Sequence, residues 1–145
     1  MSRGVSAARA GLSVTHRRYV SHSHAHYGGS LVDGAYALGL FGDVGTELSI
    51  RADSDEGLLA GYSEVRLLAP VRAGDVVEVT ATITRVGTRS REVSFEARVL
   101  CRADPDRGPS AARVLPDPIV VVTATGTVVV PPQTTTEFPP APSNQ

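Results

Sequence analysis

Residues 30–48 read SLVDGAYALGLFGDVGTEL, and this stretch, together with the strands that follow it, decides the fold. Its apolar side chains recur every three or four residues, which is the period of an α-helix. They are Leu31, Val32, Ala35, Leu38, Phe41, Val44 and Leu48. The stretch also contains four glycines, and each costs about 1 kcal/mol relative to alanine inside a helix. We therefore predict one helix that tertiary packing holds together, with a break near Gly42 as the alternative.

Four segments rich in β-branched residues follow the predicted helix. In residues 75–86, apolar side chains alternate with glutamate and threonine, which is typical of a strand with one solvated face. We predict the other strands at 58–68, 92–101 and 119–130, with a long loop over 102–118. A helix followed by strands with short antiparallel connections predicts an α+β domain, in which an antiparallel sheet wraps around a long central helix.

The length of the chain, 145 residues, is typical of one domain, and 41% of the residues are hydrophobic. We place this single domain at residues 14–130. Residues 1–13 and 131–145 are predicted to be flexible tails, because the first is small and polar and the second is rich in proline and threonine.

Charge and composition narrow the function and the location. The net charge is −1, so we expect no nucleic-acid partner. All 14 basic residues are arginine, which excludes chemistry through a lysine Schiff base. The longest aliphatic run, residues 119–122, is far shorter than the ~20 residues that span a bilayer. With a single cysteine and no apolar leader, we expect a cytoplasmic protein that does not enter membranes.

Three carboxylates lie in the stretch that we predict to be helical. At about 100° per residue, Asp33, Asp43 and Glu47 share one helix face, and residues 30–48 contain no cation to neutralise them. A solvated acidic stripe is the simple explanation. Tyr36 and Leu40 lie on the same face, however, and apolar neighbours raise the pKa of a carboxylate towards the range of a general acid or base.

Histidines alternate just before this helix, at His22, His24 and His26. Three aligned imidazoles raise the question of a metal site, but without a second ligand segment we favour one functional histidine and no metal. His26 is the candidate because Tyr27, Gly28 and Gly29 follow it, and Ser30 can cap the helix. Free backbone N–H groups at a helix N-terminus can polarise an acyl carbonyl oxygen.

Four sequence blocks together point to a known enzyme family. They are HYGGSLVDGA at 26–35, FGDVGTEL at 41–48, DEGL at 55–58 and APVRAGD at 69–75. The last block is a turn common to many hotdog proteins, whereas the first two are much narrower. From about residue 22 to 130, the chain resembles the hotdog-fold β-aminoacyl-CoA ammonia lyases.

The resemblance implies a hotdog fold in which two protomers pair their sheets and assemble as a homodimer or a higher homo-oligomer. The pocket would lie at the protomer interface, with the thioester carbonyl held at the N-terminus of the helix. Coenzyme A would be part of the acyl-CoA substrate, so that no separate cofactor is implied.

The reaction implied is the reversible elimination of ammonia from a 3-aminoacyl-CoA to give a 2-enoyl-CoA, as in the conversion of 3-aminobutyryl-CoA to crotonyl-CoA. We assign proton transfer to Glu47, orientation of the amine to Asp43, and positioning of the carbonyl or the loop to His26. The predicted substrate-binding residues are Tyr27, Gly28, Gly29 and Asp33, and Asp33 can replace either of the other carboxylates.

Three alternatives stay open. The chain can be an acyl-CoA thioesterase, a module that binds acyl thioesters without catalysis, or an enzyme that adds an amine or amino acid to an enoyl thioester. Arg85, Arg89 and Arg91 can bind the phosphates of coenzyme A, although arginines on a hairpin more often face solvent.

Overall fold

Five antiparallel strands and one long helix make up most of residues 9–132, the part of the chain that the computed structural model describes. The helix, α1, spans Ala35–Asp53, and it packs on one face of the sheet, chiefly against the first and third strands. The strands are β1 (Ser13–Tyr19), β2 (Leu58–Leu67), β3 (Val76–Val86), β4 (Ser90–Ala103) and β5 (Ala112–Val129), arranged in the order β1-β3-β4-β5-β2. This architecture confirms the predicted α+β fold.

The helix begins five residues later than the sequence pattern predicted. Gly29 and Ser30 have φ angles of 71° and 63°, which are incompatible with a helix. The carboxylate of Asp33 accepts a hydrogen bond from the backbone N–H of Tyr36 at 3.0 Å, so Asp33 supplies the capping oxygen that we predicted for Ser30. At the other end, Ser54 is left-handed and donates its N–H to the carbonyl of Ile50.

The glycines do not break the helix, which is continuous through Gly42. Gly45 is needed for packing, because a Cβ there would lie 3.2 Å from the ring of Phe95. That ring stacks on Phe41 of the helix, with 5.1 Å between the ring centroids. This aromatic contact is part of the tertiary packing that we predicted for the glycine-rich helix.

Strand β1 was not predicted from the sequence. It forms the edge next to β3, with register pairs from Ser13↔Thr82 to Tyr19↔Val76. Val14 is buried against the core, whereas Thr15 faces outward. The hydroxyl groups of Thr15 and Thr80 form a hydrogen bond of 2.9 Å. The sequence pattern does not predict this strand because an edge strand buries few side chains. Its sequence, SVTHRRY, therefore shows only a weak alternation of apolar and polar residues.

The loop predicted over 102–118 is wrong in most of its length. β4 and β5 continue as a paired arm from Cys101↔Val114 to Ala103↔Ala112, which leaves residues 104–111 as the loop. We predicted a loop here partly because prolines, such as those at 116 and 118, are rare inside strands. They lie where the pairing skips between Val99↔Ile119 and Cys101↔Val114, and a bulge tolerates a residue without an N–H group.

The core lies between α1 and the inner face of the sheet. Phe41, Val44 and Leu48 of the helix are buried there with Val79 of β3 and Phe95 of β4. Within residues 9–132, no helix is both long and apolar enough to cross a membrane. Most of the two predicted tails, namely residues 1–8 and 133–145, lies outside the described residues.

Candidate active site

The acidic face of the helix contains two of the three predicted carboxylates. Asp43 and Glu47 lie one turn apart on α1, as predicted, whereas Asp33 precedes the helix and caps it. Asp43 is exposed and forms no ion pair with any residue between 9 and 132. Asp43 is therefore open to solvent, and the side chain of Glu47 is 39% exposed.

Glu47 is held between the side chains of His16 and Arg51. Its Oε1 lies 2.8 Å from Nε2 of His16 on β1, and its Oε2 accepts a hydrogen bond from Nε of Arg51 at 2.8 Å. The hydrogen bond from Arg51 and then that from His16 hold the pKa of Glu47 below its usual value. For Glu47, the predictions of a raised pKa and of no neighbouring cation are therefore wrong, because the helix continues past residue 48 to Arg51.

His16 is a candidate residue that the sequence analysis missed. Its side chain is 16% exposed and lies on the face of β1 that packs against the helix. Nδ1 of its ring lies 3.5 Å from Nη2 of Arg18. The sequence offered one indication of its position: alternate residues of a strand point to the same side, so His16 lies on the same side of β1 as Val14 and Arg18.

The loop before the helix exposes His26, Tyr27, Gly28 and Gly29 to solvent. The backbone N–H groups of His26 and Tyr27 both donate to the carbonyl of Leu31, at 2.8 and 3.0 Å. Neither glycine N–H is bonded to a loop or strand carbonyl of the described residues. The donors available for a substrate oxygen are therefore those of Gly28 and Gly29.

The three alternating histidines lie in and beside a 3-10 turn, His22–His24, and all three are exposed. The ring of His24 packs on Tyr36 at 4.7 Å between centroids. In the described part of the chain, no group of three or more His, Cys, Asp or Glu side chains is placed to hold a metal ion.

A cavity of about 280 Å³ lies between the start of the helix and the end of β2. Asp33 and Gly34 line one side, and Leu67, Leu68 and Val71 line the other. A larger groove, of about 660 Å³, lies on the outer face of the sheet among threonine, arginine and glutamate side chains. No predicted site residue lines that groove, so the smaller cavity is the relevant one.

Glu47 and the glycine loop lie far apart within one protomer. Glu47 is twelve residues beyond Ala35, which at 1.5 Å per residue is about 18 Å along the helix axis. One protomer therefore does not bring the predicted carbonyl-binding loop and the acidic pair to the same point.

Arg91 neither faces solvent, which we considered the more common arrangement for a hairpin arginine, nor is free to bind the phosphates of coenzyme A. Its side chain is 4% exposed, and its Nε and Nη2 donate to the two carboxylate oxygens of the buried Asp53 at 3.0 and 2.8 Å. Arg9 approaches the same carboxylate at 3.1 Å. Arg85 and Arg89 are exposed on the β3–β4 hairpin.

Comparison with known proteins identifies the family. A family model described as the thioesterase superfamily matches residues 29–100. The chain is 53% identical over 119 residues to 3-aminobutyryl-CoA ammonia lyase of Acetoanaerobium sticklandii, which covers 82% of this chain and 94% of that protein. The solved structure of β-alanyl-CoA:ammonia lyase from Clostridium propionicum is 36% identical, with a TM-score of 0.78 over 83% of this chain and 86% of that one.

More distant structures share the fold alone. A hexameric hotdog fold thioesterase of Campylobacter jejuni has a TM-score of 0.65 at 18% identity, and the match covers 79% of each chain. The ammonia lyases match at much higher identity than this thioesterase does. The chain therefore belongs to the hotdog-fold β-aminoacyl-CoA ammonia lyases of the thioesterase superfamily.

Proposed function

We propose that this protein is a carbon–nitrogen lyase that reversibly eliminates ammonia from a 3-aminoacyl-CoA to give a 2-enoyl-CoA, as in the conversion of 3-aminobutyryl-CoA to crotonyl-CoA. The observation that carries the proposal is the 53% identity, over nearly the whole of the relative, to 3-aminobutyryl-CoA ammonia lyase. Coenzyme A enters as part of the substrate, and the proposed reaction requires no other cofactor. A lysine-bound pyridoxal phosphate is excluded because the chain contains no lysine.

The glycine loop suits the first chemical requirement of this reaction. The proton α to a thioester becomes acidic only when the developing enolate oxygen is stabilised by fixed donors. In our proposal the N–H groups of Gly28 and Gly29 bind that oxygen. His26 holds the loop in position, and Tyr27 and Asp33 contact the substrate beside it.

The acidic helix face suits the second requirement, which is control of the proton and the amine. We propose that the proton-transfer centre is built on Glu47, whose contacts with Arg51 and His16 keep it ionised at neutral pH. Asp43 lies one turn away, exposed and without an ion pair among residues 9–132. Asp43 is therefore the carboxylate available to orient the substrate's ammonium group.

A homodimer, or a larger assembly of dimers, completes the site in this proposal. Strand β2 is an edge of the sheet. Leu58 and Leu67 at its two ends are 72% and 62% exposed, and Leu68, which follows it, is 56% exposed. The hydroxyl of Tyr62 on the same strand is buried and has no hydrogen-bond partner among the described residues. An apolar strand edge with unpaired backbone groups favours pairing with a second chain, so we propose that two protomers join their sheets at β2.

We also propose a cytoplasmic location and an acyl-CoA thioester as the small-molecule partner, with no nucleic acid or membrane involved. The near-neutral charge and the single cysteine support the location and the lack of a nucleic-acid partner.

One assay tests the reaction. Crotonyl-CoA, and in parallel acryloyl-CoA, is incubated with the protein in the presence and absence of ammonia, while enoyl absorbance, free thiol and product mass are followed. Loss of the enoyl absorbance only with ammonia, a product heavier by one ammonia and no free thiol are expected. Release of thiol would instead indicate a thioesterase, and no reaction with either thioester would overturn the proposal.

A further inference from the structure

His16 contacts the proposed proton-transfer centre and belongs to none of the sequence blocks that characterise the family. It reaches the helix from β1, and it lies mostly buried between that strand and the acidic helix face. One of its ring nitrogens is bound to Glu47, and the other lies near the exposed guanidinium of Arg18. The imidazole thus lies between the carboxylate of Glu47, which is 39% exposed, and the guanidinium of Arg18.

The contacts determine which nitrogen carries the proton. An ionised carboxylate only accepts hydrogen bonds, so the nitrogen that faces Glu47 is the protonated one and Nδ1 keeps its lone pair, with Nη2 of Arg18 at 3.5 Å from it. Nε2 therefore carries the hydrogen and donates it to Oε1 of Glu47 at 2.8 Å. This is the arrangement by which a carboxylate orients an imidazole base and stabilises the imidazolium that forms.

The contact with Arg18 does not block the base. A separation of 3.5 Å between Nη2 and Nδ1 is at the long limit of a hydrogen bond. Arg18 is exposed, and its other terminal nitrogen donates to the carbonyl of Arg17 at 2.8 Å. A substrate can therefore take the place of Arg18 at Nδ1 without breaking a strong interaction.

Glu47 alone is a poor base, since Arg51 and His16 hold its pKa below the usual value for a glutamate. An imidazole is the side chain that most often acts as a general base. The other charged groups placed around the pair are Arg18 on β1 and Asp43 and Arg51 on α1, while β3 places Val79 opposite His16. The chemistry thus favours the imidazole over the carboxylate.

We propose that Nδ1 of His16 takes the α-proton of the substrate and that Glu47 is the positioning residue that orients it. This inference rests on the proposed lyase function. As Nδ1 takes the proton, the C–H electron pair passes through the enolate to form the carbon–carbon double bond. The C–N bond breaks, and its electron pair leaves with nitrogen, so the substrate's ammonium departs as ammonia. The imidazolium then returns the proton to ammonia, and the products are the enoyl thioester and ammonium.

The decisive variant is His16→Gln, because glutamine keeps an N–H group that can reach Glu47 but provides no base. We expect kcat to fall by about 10²–10⁴-fold, with KM and the melting temperature close to those of the wild type. The acid limb of the kcat/KM profile of the wild type should also disappear. Deuterium from D₂O should enter the α-position of 3-aminobutyryl-CoA with the wild type and not with this variant.

His22→Gln is the matched control, since it removes an exposed imidazole near the loop. It should keep the rate, the pH profile and the deuterium exchange of the wild type. His16→Asn provides a second test of the same position if the glutamine variant folds poorly.

The inference is overturned if His16→Gln or His16→Asn turns over with the wild-type pH profile and exchange while Glu47→Gln is inactive. The carboxylate would then act directly and His16 would only anchor the helix. That outcome leaves the lyase function intact. The lyase function itself fails only if the wild type shows no ammonia-dependent reaction.

Discussion

Replacing Arg91 by methionine tests the buried ion pair between the helix and the β3–β4 hairpin. Asp53 is fully buried, and Arg91 binds both of its carboxylate oxygens. Removing one partner of a buried pair typically costs about 3–5 kcal/mol, because the remaining charge is left unpaired. Arg9 stays 3.1 Å from the same carboxylate, so we place Arg91→Met near the lower limit, at about 3 kcal/mol.

Urea unfolding at a fixed protein concentration measures this loss directly. In thermal unfolding, the same change should lower the melting temperature by roughly 10–15 °C for a domain of this size. The double variant Asp53→Asn/Arg91→Met should be more stable than Arg91→Met alone, because it also removes the buried charge. Arg85→Met, at an exposed site on the same hairpin, should stay within about 0.5 kcal/mol of the wild type. A loss below about 1 kcal/mol for Arg91→Met would refute the reasoning.

Three further predictions concern the helix and the sheet edge. Because the folded-state pKa of Glu47 is lowered, its ion pairs stabilise the protein above the unfolded glutamate pKa of about 4.3, and this contribution is lost as the pH falls through the lower folded value. Glu47→Gln should therefore show a smaller loss of urea midpoint on acidification than the wild type, and parallel curves would contradict this. Gly45→Ala should lower stability by about 1 kcal/mol or more, since its Cβ meets Phe95 at 3.2 Å. At Gly39 a Cβ would have no described atom outside its own helix turn within 4 Å, so Gly39→Ala should raise stability by about 0.5–1 kcal/mol. Thermal unfolding of the two variants measures both changes. Leu67→Glu should dissociate the assembly in analytical ultracentrifugation and reduce lyase activity, whereas an unchanged sedimentation coefficient would argue against pairing at β2.

The sequence by itself determined the order of the helix and of the four strands that follow it. Strong periodicity made this possible: the spacing of Phe41, Val44 and Leu48 indicates a helix, and the alternation along residues 75–86 indicates a half-buried strand. The blocks at 26–35 and 41–48 also carried the family resemblance, which the relatives confirm. Local patterns and short motifs of this kind need no knowledge of long-range contacts.

The tertiary structure decided which charged groups meet. His16 and Glu47 are separated by 31 residues, and Asp53 and Arg91 by 38. Only the folding of β1 and of the hairpin onto the helix brings these pairs together. The isolated helix pattern predicted unpaired carboxylates with raised pKa values, but a neighbouring strand supplies His16 and a further helical turn supplies Arg51. Electrostatic interactions act over a few ångströms in space whatever the separation along the chain, so the contact of Glu47 with His16 depended on the tertiary fold, whereas Arg51 lies four residues away on the same helix.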